Sequence, residues 1–255
     1  MKMGKETRQF HEVVLRIYKQ ILEDNPQLEA AGGVIADQIA QGKLIYVIGT
    51  GGHSNMAAEE VLWRAGGLAP IDPILDPGTN LINGAKHSNY MERCQGYAKQ
   101  VLDAYHVGRE SGEVIIIANA YGINAMTIDT LLEARRRGMV TIGITSKGFA
   151  DNVPKGGKMR HPSGLNLYQE VDYFIDNHMP YGDAVVDIES MAQKVGPTST
   201  LCNVYAINLL MIEAIRQLAA KGIDPPVWMS ANLPGGDEHN KQLEEDYIPR
   251  VKHLM

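Results

Sequence analysis

From residue 44 onward the chain alternates between two patterns. Short apolar, β-favouring runs occur at 44–48, 71–75, 114–118, 140–144 and 171–175, and most are separated by stretches with helical spacing. Strands that alternate with helices build βαβ units, and such units build a parallel sheet covered by helices on both faces. Ligands of these sheets bind outside the carboxyl ends of the strands. The turns that follow the apolar runs are therefore the places to look for chemistry.

Ahead of this region the period is helical. Phe10, Val13, Val14, Ile17, Ile21 and Leu22 repeat at helix spacing. Asn25-Pro26 then opens a second predicted helix, with proline in its first turn, and Gly42 ends it. The predicted organisation is a helical N-terminal extension, residues 1–29, followed by one α/β domain, residues 30–255. A net charge of −6 argues against broad nucleic-acid binding. The run Arg135-Arg136-Arg137 falls at the end of a predicted helix, where cations favour the dipole. Cys94 and Cys202 lie far apart, outside any disulfide or zinc-finger spacing. The sequence has no apolar run of about 18 residues, and residues 1–10 are too polar for a signal peptide. The expectation is a cytoplasmic protein with no membrane partner.

The first run ends in Gly49-Thr50-Gly51-Gly52-His53-Ser54. Glycines let backbone approach a ligand closely, and N–H groups at a helix start favour an anion. The plain alternative is a tight turn with Ser54 as N-cap. A P-loop needs lysine after its glycines, and none is present. A dinucleotide turn needs a third glycine where Ser54 stands, which weakens that reading but leaves it open, since Asp76 after the next strand could meet a ribose. The pattern recurs at Ala118-Asn119-Ala120-Tyr121-Gly122-Ile123-Asn124, so two turns are expected side by side around one ligand. A third start lies at Gly196-Pro197-Thr198-Ser199-Thr200, where three hydroxyls crowd the first turn of a long helix that is apolar nearly all round.

Together these motifs resemble the SIS (sugar isomerase) domain. The likeness runs over about residues 30–245, and the tail "SANLPGGDEHNKQL" is similar to an uncharacterised SIS group. N-acetylmuramic acid 6-phosphate etherases and phosphoheptose isomerases are more distant in likeness. The resemblance implies a three-layer α/β sandwich around a five-stranded parallel, flavodoxin-like sheet, assembled as a homodimer or homotetramer. It implies a sugar phosphate as partner, with Gly51, Gly52, His53 and Ser54 on the phosphate. One departure stands out. The second turn of SIS phosphosugar binders reads S-x-S-G-x-[TN], and here both serines are alanines, Ala118 and Ala120. Asn119, Tyr121 and Asn124 are left as its polar side chains.

Aldose–ketose isomerisation needs a base between adjacent carbons and an acid for the oxygens. A glutamate is a common base in SIS isomerases, which points to Glu60, then Glu59, on the helix after the first turn. His161, in a loop before the last strand, is a candidate proton carrier. Asp183, in a turn after that strand, could orient sugar hydroxyls or cap the turn. Thr198, Ser199 and Thr200 offer further donors. Histidines and glutamates show no metal-ligand spacing, and no cofactor is implied. An isomerase is the favoured reading, with an etherase-like lyase and a non-catalytic phosphosugar sensor as alternatives.

Overall fold

The structure, a computed structural model, describes residues 4–255. Two helices come first, α1 (Lys5–Glu23) and α2 (Leu28–Ala40). The second starts later than Asn25-Pro26 because Asn25 is engaged elsewhere. Its amide donates to the carbonyls of Ile21 (2.7 Å) and Asp176 (3.0 Å), and its Oδ1 accepts the Asp176 N–H at 2.6 Å.

The alternating region follows as β1 (Ile45–Gly49), α3 (Asn55–Glu60), β2 (Ile71–Ile74), α4 (Ala85–Met91), α5 (Tyr97–Ala104), β3 (Val114–Ala118), α6 (Ala125–Arg136), β4 (Val140–Thr145), α7 (Lys147–Asn152), α8 (Leu167–Glu170) and β5 (Tyr173–Asp176). A short hairpin, β6 (Ala184–Val186) and β7 (Val195–Pro197), precedes α9 (Ser199–Ala220) and α10 (Gly236–Tyr247). The five main strands lie parallel in the order β2-β1-β3-β4-β5. This is the expected flavodoxin-like sheet, and its order reverses between β1 and β3. The β6–β7 hairpin was not expected, since strands of three residues are too short to show a period.

Side-chain alternation divides the core into two halves, one on each face of the sheet. Ile45, Val47, Val114, Ile116 and Ile144 pack with Ile35, Ala57, Ala206 and Leu210 on the α1, α2, α3, α9 side. Tyr46, Ile48, Ile115 and Ile117 pack with Val101, Leu102, Met126 and Leu131 on the α5, α6 side. The central helices come close. A Cβ added at Gly32 of α2 would lie 2.6 Å from Glu213 Cγ of α9. The opposite stripe of α9 stays open, with Ile212 60% exposed. The Arg run is paired, Arg135 with Glu170 and both Arg136 and Arg137 with Glu133. No helix among the described residues is long and apolar enough to cross a membrane.

Candidate functional site

The paired register of Gly49 with Ala118 makes the two turns leave the sheet side by side, at the point where strand order reverses. Outside them lies a cleft of about 350 Å³. Its wall includes Gly51, Gly52, His53 and Ser54 from the first turn and Asn119, Ala120 and Tyr121 from the second. Asp183, Ser199 and Thr200 close a third side, and Leu81, Ser88, Asn89 and Glu92 a fourth.

The first turn is open-handed. Among the described residues, the N–H groups of Gly51, Gly52, His53 and Ser54 find no acceptor in the protein. Four successive donors without partners thus belong to residues that line the cleft, which leaves this wall rich in unpaired N–H groups. Ser54 does not cap α3; its hydroxyl oxygen instead accepts the Ala120 N–H at 3.3 Å, which leaves its proton to give. Space depends on glycine here. A Cβ at Gly51 would meet Glu92 Oε2 at 2.8 Å, and one at Gly52 would meet Leu81 Cδ2 at 2.5 Å.

The second turn is closed on itself. Asn119 Oδ1 accepts the N–H groups of Tyr121 (3.0 Å) and Gly122 (2.8 Å). The amides of Asn119 and Asn124 both donate to the Thr50 carbonyl, at 3.0 and 3.1 Å, and tie the two turns together. Asn124 Oδ1 caps α6 by accepting the Thr127 N–H at 2.8 Å, so Asn124 sits behind the cleft wall. The start of α9 also holds an internal partner. Asp183 Oδ1 accepts the N–H groups of Thr198 and Ser199, both at 2.7 Å, and its Oδ2 accepts the Ser199 hydroxyl at 2.9 Å. Pairing of Ala184 with Pro197 in the hairpin brings Asp183 to that position.

Three expected acid–base residues lie outside the cleft lining. Glu59 accepts a hydrogen bond from Asn80 at 2.7 Å. Glu60 pairs with Arg64 at 3.3 Å, on the face of α3 that meets Asn208 of α9. His161 stands 3.2 Å from Asp129, beyond the second turn. The glutamate that does reach the cleft is Glu92, at the end of α4, and among the described residues its carboxyl makes no hydrogen bond or ion pair. Burial pushes its pKa above the ordinary glutamate range. Tyr121 lies beside it, and burial together with the carboxylates of Asp183 and Glu92 pushes its phenol up, so the phenol stays protonated. Residues 75–113 form one long connection from β2 to β3 that starts at a strand's carboxyl end. That position was the available signal for Glu92, although the segment lacks a clear period.

The SIS domain model matches residues 9–146, and the chain belongs to the SIS domain family. Among relatives, a "UPF0309 protein" of Geobacillus thermodenitrificans is 35% identical over 246 residues, 96% of this chain and 96% of that one. A second "UPF0309 protein", from Caldanaerobacter subterraneus, is 38% identical over 245 residues, 93% of this chain and 97% of that one. The structure of a phosphoheptose isomerase from Francisella tularensis matches with a TM-score of 0.54 at 13% identity, covering 85% of this chain and 100% of that one. That last likeness is one of fold.

Proposed function

We propose that the cleft binds a sugar phosphate and interconverts its aldose and ketose forms. The observation that carries this reading is the juxtaposition of a donor-rich turn with an unpaired carboxyl. The four free N–H groups of residues 51–54 and the Ser54 hydroxyl take the phosphate. Glu92 removes a proton from the carbon beside the carbonyl, the electron pair moves to the carbonyl oxygen, and an enediol forms. The former carbonyl oxygen takes a proton, and the hydroxyl on the neighbouring carbon gives one up to become the new carbonyl. Return of the proton from Glu92 to the former carbonyl carbon completes the exchange. The Tyr121 phenol and the Thr200 hydroxyl are neutral donors on the same cleft and serve the sugar oxygens. A carboxyl whose pKa burial raises is a stronger base than an ordinary glutamate, which suits a group that takes and returns a proton.

Solvent deuterium incorporation into candidate sugar phosphates, followed by mass spectrometry or NMR, tests the reading. Incorporation at the carbon beside the carbonyl is expected. Binding of sugar phosphates without any exchange would make the protein a phosphosugar sensor instead. The open stripe of α9, with exposed Leu201 and Ile212, supports a homo-oligomer built on that face, which sedimentation at micromolar concentration checks.

A further inference from the structure

The start of α9 has the parts of an anion site, and it is already filled. Thr198 and Ser199 give two N–H groups and a hydroxyl to the Asp183 carboxylate, and the Thr198 hydroxyl donates to the Asp183 carbonyl at 3.0 Å. The chain meets a conformational cost to hold this arrangement. Asp183 has φ of 66°, in the left-handed region that non-glycine residues seldom occupy. Gly182 before it has φ of 91°, and the N–H of Asp183 itself bonds to the Pro180 carbonyl at 3.0 Å. This turn therefore presents its carboxylate to the helix as an external anion would present an oxygen pair.

Charge around the rest of the cleft agrees. No lysine or arginine is among the described residues that line it, while two carboxyls, Asp183 and Glu92, do. Both carboxylates, after burial, help push up the pKa of Tyr121 on the same cleft wall. An anionic group placed at the α9 end would meet the Asp183 charge across a short, partly buried gap, where screening is weak. Hydroxyl and amine groups would meet acceptors there instead, together with the Thr200 hydroxyl. Among the described residues that hydroxyl has no hydrogen-bond partner.

We infer that Asp183 is a specificity-determining residue, which occupies with its own carboxylate the second anion position of the cleft. The ligand then carries one anionic end, held at residues 51–54, and a hydroxyl- or amine-bearing end toward α9; a sugar with an anion at both ends is rejected. The choice of ligand rests on the function proposed above, whereas the filled position at α9 does not.

Titration calorimetry of the full chain with inorganic phosphate tests both parts. Glycine suits the left-handed backbone at 183, so Asp183→Gly removes the carboxylate without adding strain. One phosphate per chain is expected for the wild type, two for Asp183→Gly, and one for Asp183→Gly combined with Gly52→Val. No phosphate on the wild type but one on Asp183→Gly would support the filled position and overturn the phosphate role of residues 51–54. Two phosphates on the wild type, or no added phosphate on Asp183→Gly, would overturn the inference. Asp183→Asn keeps an acceptor for Thr198 and Ser199 and guards against loss of fold in the glycine variant. With it, affinity for a sugar bisphosphate relative to the matching monophosphate should rise about tenfold or more, a change of about 1.4 kcal/mol. An unchanged ratio would overturn the inference as well.

Discussion

The turns at residues 49–54 and 118–124 leave neighbouring strands of one sheet, and each leads into a helix. Their N–H groups have opposite fates. Those of residues 51–54 have no acceptor among the described residues, while those of Tyr121 and Gly122 are taken by the Asn119 side chain. A strand-to-helix turn must satisfy its donors in some way, from a ligand, from water or from its own side chains. The second turn uses its own side chain and is a strut. The first leaves its donors unpaired at the cleft, and under the function proposed above it is the receptor. Likeness of sequence pattern at two turns therefore does not entail likeness of role; the position of one amide oxygen decides it.

The largest effect expected concerns what the receptor turn serves. Glu92→Gln should lower turnover by about 10²–10⁴-fold, the scale of general-base removal, with ligand affinity nearly unchanged. Deuterium exchange on saturating sugar phosphate reads the rate, and thermal shift reads the affinity. Full activity in this variant would detach the open turn from any chemistry at Glu92. The same variant has a pH signature. Burial raises the folded-state pKa of Glu92, so the folded chain holds this proton more tightly than the unfolded chain. Stability then falls as pH rises from the ordinary glutamate value through the raised one. Glu92→Gln removes that slope, and should melt above the wild type at about pH 8 but not at about pH 4.

Next in size is the strut. Asn119→Ala would leave the Tyr121 and Gly122 N–H groups unpaired and take one of two donors from the Thr50 carbonyl. Buried groups without partners cost about 1–3 kcal/mol each, so a loss of about 2–4 kcal/mol is expected in urea unfolding. The receptor turn should respond in the other sense. Ser54→Ala gives up one 3.3 Å bond from Ala120 and should cost less than about 1 kcal/mol of stability. It should weaken sugar phosphate binding by about tenfold, because it removes a donor to a charged ligand. Equal stability losses at the two positions would erase the distinction between receptor and strut.

Residues whose role is set by local backbone were readable from the sequence. The five apolar runs gave way to five parallel strands, and their alternation with helices implied both faces of cover. Gly51 and Gly52 could be placed at the cleft because they end a strand of a parallel sheet, where such sheets open to ligands. Glu92 was not, because its place depends on how the connection at residues 75–113 folds back over the cleft, and no short-range pattern encodes that. Glu60 shows the converse. Its helix starts at the cleft, but the angular position of a side chain around a helix of six residues decides its neighbours, and Glu60 turns toward Arg64 and Asn208. Asp183 was singled out among candidates for sugar hydroxyls or a turn cap. Its actual partner, the start of α9, depends on a hairpin too short to be seen in the pattern.

The smallest effect on ligand binding is expected at the two alanines that stand where SIS phosphosugar binders carry serine. If the second turn were a weakened phosphate cradle, Ala118→Ser with Ala120→Ser would tighten sugar phosphate binding. The geometry argues for no gain. Ala118 is fully buried and Ala120 nearly so, and both methyls belong to the apolar core on the α9 side of the sheet. A hydroxyl at 118 would face core atoms, and one at 120, at the edge of the cleft wall, would find the nearby N–H groups already held by Asn119 and Ser54. Phosphate would have to displace the Asn119 oxygen to use those donors, and a new serine does nothing to loosen it. The double variant should therefore bind sugar phosphate within about twofold of the wild type, and lose about 1–3 kcal/mol of stability for each buried hydroxyl that finds no partner. A tenfold gain in affinity, measured by calorimetry, would mean that the strut opens when ligand arrives and that both turns receive the phosphate.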